Sequence, residues 1–377
     1  MPPREEIWVE TDEGRFDRFR AIEVSTDIFG EANATIEIAD DRAWQTIRRR
    51  FDVSRPIAIK ADGLPVFTGR IEGNELPTSV EEGTVTQLVL RTRMADARVA
   101  GADPSVVVSG VSIREFILAL FRGIGLTADD FLFTPETDRD LVTGRKAGKA
   151  APVDLEPLKA DQAKVQPTES IEQAAKRHLE RHHLMLWESA TGLICVGIPN
   201  DQQPTFYRFV QREGVCNFRQ ARPVRDWGEI PGELWVYGGA IGKDVTRAPI
   251  KGVAVDYDLA IAAASTGHFQ RKVVLGVEGA KDLARADAQA RRELFARSKR
   301  KAAWEIEVDD WSFWDGQRST PYAINTTADI DVDTHQGSDL RGQFLVTGVR
   351  KRMTVDEGTR ANLTLLRQGI VNASSNP

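Results

Sequence analysis

Two short stretches near opposite ends of the chain follow one pattern, and this repetition restricts the fold more than any other feature. The first is Val66–Ile71 (VFTGRI), then a polar turn, then Leu88–Arg91 (LVLR). The second is Val346–Arg350 (VTGVR), another polar turn, then Leu363–Arg367 (LTLLR). Each reads as a strand carrying Thr-Gly, a turn, and a partner strand that ends in arginine. The pattern predicts one β-module used twice, although so short a match also arises by chance.

A duplicated module has a geometric consequence for assembly. Three copies of such a chain present six similar units around one axis. A ring of this kind can match a sixfold object on one face and a threefold object on the other. Closed rings of identical chains use head-to-tail interfaces.

The N-terminal and middle parts of the chain differ in periodicity. Residues 4–97 contain short alternating apolar segments, and Asp62-Gly63 is a strong signal for a tight hairpin. Ser112–Glu115 and Ser170–Gln173 have capping-box form, so each predicts the start of an amphipathic helix. The second helix leads into a predicted β-hairpin over 184–196. Residues 135–167, rich in Pro, Lys, Gly and Ala, are predicted to form a loop insertion.

The C-terminal part returns to strand-like segments around one helix. Trp235–Tyr237 and Val253–Val255 are the clearest strands before it. Residues 280–301 are predicted to be helical, with Leu283, Ala286, Ala290 and Leu294 on one face. The remaining segments up to residue 366 alternate as strands do.

Composition excludes several classes of protein. The 377 residues include two cysteines, too few for a disulfide framework, and the net charge of −6 argues against a surface that binds nucleic acid throughout. The N-terminus lacks the pattern of a signal peptide, and no apolar run approaches the ~20 residues of a membrane span. We therefore expect a chain that is made and assembled in the cytoplasm.

Two motifs suggest binding chemistry without completing it. His178 and His182 stand at i and i+4, a spacing that chelates zinc, but no third ligand follows and Glu180 is one place too late for a metalloprotease. Tyr237–Asp244 and Gly144–Lys149 resemble phosphate loops but lack the required glycine and hydroxyl positions. A basic helix end and flexible turns are the simpler interpretations.

Acidic and basic clusters suggest three further possibilities. Asp309–Asp315 joins carboxylates to tryptophans, as a glycan-binding or cell-wall-degrading site would, although a strand end with its tryptophans facing inward is the simpler interpretation. Asp329, Asp331 and Asp333 share one face of a strand and predict an acidic stripe facing solvent or a channel. The basic helix at 281–301 could bind nucleic acid, but its acidic residues favour a solvated face or a protein interface.

The order and spacing of several motifs resemble one known family. They are Pro65–Gly69, Gln166–Gln173, Leu184–Trp187 with Gly192–Ile194, Ala284–Ala288 and Leu345–Val349. Together they are similar to the baseplate hub proteins of contractile phage tails: Mu-type tail protein P, the late control protein D family, and the N-terminal part of the type VI secretion spike. The Mu-type hub is the most similar of these, and the insertion at 135–167 departs from the pattern.

The resemblance implies an α+β, mainly β, fold in four parts. Two related β-barrel domains would form a ring wall and two smaller α+β domains would decorate it. The implied limits are residues 1–100 for the first barrel, 101–205 for an α+β domain, 206–265 with 327–372 for the second barrel, and 266–326 for an inserted α+β domain with the basic helix.

The resemblance also implies a structural role without catalysis. The expected assembly is a homotrimer in the virion baseplate that adapts the sixfold tail tube to the threefold central spike. Its partners would be the tube protein, the spike protein, other baseplate proteins, and DNA that passes through the lumen without specific binding. We expect no catalytic, cofactor-binding or metal-binding residues and no cofactor, with Asp329, Asp331 and Asp333 as candidates for the lumen. A glycan-active tail protein is the alternative.

Overall fold

The computed structural model describes most of the chain in separate ranges. These are residues 5–11, 14–38, 56–75, 78–79, 83–106, 113–133, 165–180, 184–197, 199–212, 214–224, 231–238, 250–255, 272–277, 283, 286–287, 289–290, 293–294, 303–332 and 340–367. The chain divides into two compact units. The first contains residues 1–221 and 305–365, and the second contains residues 222–304 and 366–377.

Strands dominate both ends of the chain, with the helices between them. The N-terminal strands are β1 (Ile7–Thr11), β2 (Gly14–Phe16), β3 (Ala21–Asp27), β4 (Asn33–Ile38), β5 (Ile57–Ala61), β6 (Leu64–Glu75), β7 (Thr78–Ser79), β8 (Gly83–Thr84) and β9 (Thr86–Arg91). The middle region contains α1 (Met94–Val99), α2 (Ile113–Arg122), β10 (Phe131–Phe133), α3 (Ile171–Glu180), β11 (Met185–Glu188) and β12 (Ile194–Gly197). The later strands are β13 (Tyr207–Arg212), β14 (Val215–Cys216), β15 (Gln220–Val224), β16 (Glu233–Gly238), β17 (Ile250–Val255), β18 (Lys272–Val277), β19 (Ala303–Val308), β20 (Ser312–Trp314), β21 (Ser319–Pro321), β22 (Thr326–Val332), β23 (Leu340–Thr354) and β24 (Gly358–Arg367). The predicted fold class, α+β and mainly β, is confirmed.

One sheet runs through the first unit and joins both ends of the chain. Its strand order is β14-β13-β22-β23-β3-β4-β9-β6-β5-β1-β2, and β24 also pairs with β23. The N-terminal strands therefore lie directly beside the C-terminal ones. We call the strands from β1 to β9 the N-terminal β-module, and β13, β22, β23 and β24 the C-terminal β-module.

Alternating burial explains why the N-terminal strands form. In β3 and β4 every second side chain is buried, including Ile22, Val24 and Ile36. This period of two places one face on the core and leaves the other face polar. The core of the module also contains Ile57, Ile59, Phe67, Leu88 and Leu90.

The middle region, residues 94–197, forms an α+β part with its own core. The core includes Phe116, Phe121 and Ile117 from α2 and Ala174, Ala175 and Leu179 from α3. These helices pack with the three-stranded sheet β10-β12-β11. The predicted capping box at the start of α3 is present, because Ser170 N donates to Gln173 Oε1 at 3.0 Å and Gln173 N donates to Ser170 Oγ at 3.2 Å. Ser112 and most of the predicted insertion lie outside the described residues.

The second unit is a three-stranded sheet covered by a helix. The sheet has the order β17-β16-β18, and the described helical residues lie between 283 and 294. Ala286, Ala290 and Leu294 are buried against Leu234, Val236 and Ala254, as three of the four predicted face residues should be. The fourth, Leu283, is 58% exposed.

Candidate assembly site

A strand pair joins the two β-modules and is the main candidate for an assembly element. β3 pairs antiparallel with β23 over seven residues on each side, from Ala21 opposite Thr354 to Asp27 opposite Gly348. Across the pair, Arg350 Nε donates to Glu23 Oε1 at 2.7 Å on the exposed face. The joint is a continuous backbone ladder and therefore fixes the modules side by side.

The long strand β23 contributes to both modules through successive parts of its length. At its start, Phe344 is buried opposite Ala328 of β22. Near its end, Val349 is buried opposite Thr26 of β3, and Met353 packs on the N-terminal core. The first half of β23 therefore lies beside β22 and its second half beside β3. One strand thus supplies buried side chains to both modules along its length.

Trp311 links the modules through a side chain. Although it follows β19, its fully buried ring belongs to the core of the N-terminal β-module. Its indole Nε1–H donates to the carbonyl oxygen of Arg352 in β23 at 3.0 Å. Its backbone N–H donates to Glu5 Oε2 at 2.9 Å. The core of the first module is therefore completed by a residue from the far end of the chain.

The predicted acidic stripe lies on the outer face of β22. Asp329 and Asp331 alternate there with the buried residues Ala328, Ile330 and Val332. Arg208 and Arg212 from β13 pair with Asp329 and Asp331 respectively, and Arg341 Nε lies 3.4 Å from Asp331 Oδ1. The two described aspartates are therefore compensated by two arginines that are distant in sequence and by Arg341 from the following strand. Asp333 lies outside the described residues.

The two Thr-Gly motifs lie in strands β6 and β23, each of which pairs with its predicted partner strand. Gly69 is in β6, which pairs with β9, and Gly348 is in β23, which pairs with β24. A Cβ added at Gly69 would lie 2.6 Å from the Arg91 carbonyl oxygen, and one at Gly348 would lie 3.2 Å from Thr364 Oγ1. The glycines therefore permit close contact with the partner strand at both places. The predicted strand–turn–strand arrangement is present in each module.

The chain is similar to known proteins in its fold. No family model matches the chain, and no curated protein matches its sequence. A tail protein from Neisseria meningitidis MC58 superposes with a TM-score of 0.72 at 16% identity, over 99% of this chain and 99% of that one. The 43 kDa tail protein of prophage MuSo2 from Shewanella oneidensis gives 0.70 at 13% identity, over 97% and 99% of the two chains. This chain has the fold of phage tail proteins.

A component of a secretion system is also similar in fold, although less closely. The E. coli c3393 protein, a component of the type VI secretion system described as similar to T4 tail proteins gp27 and gp5, gives a TM-score of 0.52. The two chains are 9% identical, over 96% of this chain and 77% of that one. The predicted resemblance to the hub family is confirmed in its fold.

Within the tail-protein fold, the first candidate metal ligand is a core residue. His178 is fully buried in α3, and its ring meets Phe116 edge-on with 4.5 Å between centroids. His182 lies outside the described residues. In the described ranges, no cluster of three metal-ligating side chains occurs. The same ranges contain no helix long and apolar enough to cross a bilayer.

The Asp309–Asp315 cluster is held in turns of the tail-protein fold. Asp309 pairs with Arg219, and Asp310 accepts a hydrogen bond from Thr359 Oγ1 at 3.2 Å. Asp315 Oδ1 accepts the backbone N–H groups of residues 317 and 318 at 2.9 and 2.8 Å, which closes a tight turn. The geometry gives each of these carboxylates a local partner.

The remaining candidates cannot be placed from the described residues. All the predicted basic residues of the helix, Lys281, Arg285, Arg291, Arg292, Arg297, Lys299, Arg300 and Lys301, lie outside them. So do Gly144–Lys149 and the part of the Tyr237–Asp244 loop after Gly238. Tyr237 and Gly238 themselves end strand β16.

Sequence reasoning missed two buried carboxyl groups at joints between parts. Burial raises the pKa of Glu5, which contacts Trp311, to about 7. Burial likewise raises the pKa of Glu188, which is 5% exposed in β11, to about 7. The only signal in the sequence is that Glu188 follows the apolar run Leu184–Trp187 directly. An acidic residue at the end of such a run is ordinarily exposed.

Proposed function

We propose that this chain is the structural hub of a contractile phage-type tail baseplate. Three copies form a ring that joins the sixfold tail tube to the threefold central spike. The partners are the tube protein, the spike protein and other baseplate proteins, and DNA passes through the lumen without specific binding. The protein belongs to the virion and is assembled in the host cytoplasm.

The observation that carries this proposal is the pairing of β3 with β23. It joins the two β-modules, each with a Thr-Gly strand pair, in one continuous sheet, and this continuity supports their use as one segment of a ring wall. Because each chain supplies two such modules, three chains supply six around one axis. The likeness to two phage tail proteins over nearly the whole of each chain supports the same conclusion.

We propose that the protein acts without catalysis. The candidate acids at Asp309–Asp315 have local structural partners, and His178 belongs to an apolar core. The proteins that share the fold are described as tail proteins. A glycan-active role would require free carboxylates on both sides of a substrate groove. Cell-wall hydrolysis that disappears in a D310N/D315N variant would overturn this part of the proposal.

The mass of the native protein in solution tests the ring directly. Light scattering coupled to size exclusion should give three times the chain mass of 41.8 kDa. Electron microscopy of the same fraction should show closed rings with threefold symmetry. A monomer at every concentration tested, with or without the tube and spike proteins, would refute the hub assignment.

We assign the exposed face of β22, with Asp329 and Asp331, to the channel, and we expect Asp333 to line the channel as well. Cysteine at position 329 (D329C, in a C216S background) should react with a small maleimide in the assembled ring. A long polyethylene-glycol maleimide should react much more slowly, because a channel excludes bulky polymers. The denatured variant is the matched control. Equal rates with both reagents in the assembled ring would mean that this face of β22 lies on the outer surface of the ring and not in the channel.

A further inference from the structure

The side chain of Glu188, from β11, lies beside Met94, at the point where the chain passes from the N-terminal β-module into the α+β part. Its carboxyl Oε1 accepts a hydrogen bond from the backbone N–H of Met94 at 3.1 Å. Met94 is the first residue of α1, three residues after β9 ends at Arg91. One buried side chain of β11 therefore holds the start of α1.

The hairpin that follows Glu188 rests on the same β-module. Thr68 Oγ1 in β6 donates to the carbonyl oxygen of Ala190 at 3.0 Å. A Cβ added at Gly192 would lie 3.2 Å from the Thr68 side chain, so this turn contacts the strand closely. Glu188 and the turn after it thus form one joint between the two parts.

The cation that acts on Glu188, Arg98, already pairs with two other carboxylates. Arg98 of α1 pairs with Glu172 of α3 at 2.8 Å and with Glu31 at 2.9 Å. Further ion pairs surround these groups: Lys176 with Glu172, Arg91 with Glu31 and Glu72, Arg70 with Asp96, and Arg93 with Asp130. Of these groups, Arg98 and Glu172 act on Glu188 electrostatically. An ionised Glu188 would share Arg98 with Glu172 and Glu31 and would be repelled by the charge of Glu172.

We propose that this joint is a pH-sensitive latch, closed while Glu188 carries a proton and locally opened when Glu188 loses it. An unpaired carboxylate in a buried site is costly, and a local opening that admits water relieves the cost. The latch connects the α+β part to the β-module independently of any ring assembly.

The pKa of Glu188 in the closed joint lies near neutral pH. Burial raises its pKa from 4.5 to about 7, and Glu172 adds to the effect, while Thr92, Met94 and Arg98 oppose it. The closed joint therefore binds the proton more tightly than the open joint does. The free energy by which this proton favours the closed joint is fully present below a pH of about 4.5 and is lost as the pH rises toward about 7.

Hydrogen exchange of the amides at 94–98 in the full chain tests the latch. After correction for the intrinsic rate, their protection should fall roughly tenfold or more between about pH 5.5 and about pH 8.5. In E188Q, which keeps an oxygen for Met94 N–H but cannot ionise, protection should stay constant within about twofold.

A second variant shows whether the effect belongs to this joint. E5Q removes the other carboxyl whose pKa is raised to about 7, at the contact with Trp311. It should keep the wild-type pH dependence at 94–98. Constant protection across this pH range in the wild-type chain would overturn the proposal, and so would the same loss of protection in E188Q as in wild type. If E188Q does not fold, the wild-type series alone decides between the two results.

Discussion

The indole N–H of Trp311 donates to the carbonyl oxygen of Arg352 at 3.0 Å while its ring fills the core of the N-terminal β-module. Trp311 and Arg352 both belong to the C-terminal part of the chain, and Arg352 lies in the strand that pairs with β3. The N-terminal β-module is therefore not a complete folding unit by itself. Its last core side chain and its neighbouring strand both come from the far end of the sequence.

The Trp311→Ala variant should lose about 3–5 kcal/mol of unfolding free energy, because a fully buried ring and its hydrogen bond are removed. Urea denaturation measures the loss. Trp314→Ala is the matched control, since Trp314 is 36% exposed, and should cost less than about 1 kcal/mol. Equal losses in the two variants would contradict the assignment of Trp311 to the core.

Gly252→Ala should disrupt the second unit, because the new Cβ would lie 2.1 Å from the carbonyl carbon of Ala286 in the facing helix. Overpacking of this kind costs about 1–3 kcal/mol or more. Hydrogen exchange in β16 to β18 should accelerate while β3 and β4 keep their protection. Gly73→Ala, which has open space around the new Cβ, should leave all of these strands unchanged.

The Thr-Gly motifs should respond to substitution in a graded way. Gly69→Ala should be the more harmful change, since its Cβ would meet the rigid backbone of Arg91 at 2.6 Å. Gly348→Ala should cost less, because the atom at 3.2 Å belongs to the Thr364 side chain, which can rotate. Melting temperatures rank the two variants, and the reverse order would mean that the two strand pairs pack differently.

Glu5 should make stability fall as the pH rises. Burial raises its pKa from 4.5 to about 7, so the folded chain binds this proton more tightly than the unfolded chain. Its stabilising effect is full below a pH of about 4.5 and is lost toward about 7, a change of up to about 3 kcal/mol. Glu5→Gln should therefore exceed wild type in stability at about pH 8 by urea denaturation. The exposed neighbour provides the control: Glu6→Gln should follow the wild-type curve.

Local rules in the sequence were sufficient for the elements themselves. Alternation at Ile22 and Val24 predicted a strand with one buried face, and that is how β3 packs. The spacing of Ser170 and Gln173 predicted a capped helix start, and both hydrogen bonds are present. The repeated Thr-Gly pattern predicted two similar strand pairs. These signals work because periodicity and capping depend on neighbours within a few residues.

The joints could be read only from the tertiary structure. The period of β23 does not show that its two halves pair with different modules, because alternation specifies a face but not a partner. The aspartates of β22 looked like an acidic stripe until β13 and β23 brought arginines beside them.

Trp311 and Glu188 illustrate the same division. The sequence by itself determined the strands and the capped helix start, since each is stabilised by contacts between near neighbours. Only the tertiary structure decided that Trp311 completes a core formed by residues 7–90 and that Glu188 is buried at Met94. Such pairings depend on which distant segments pack together. The free energy of each contact depends on both partners, so the sequence of one segment alone does not predict it.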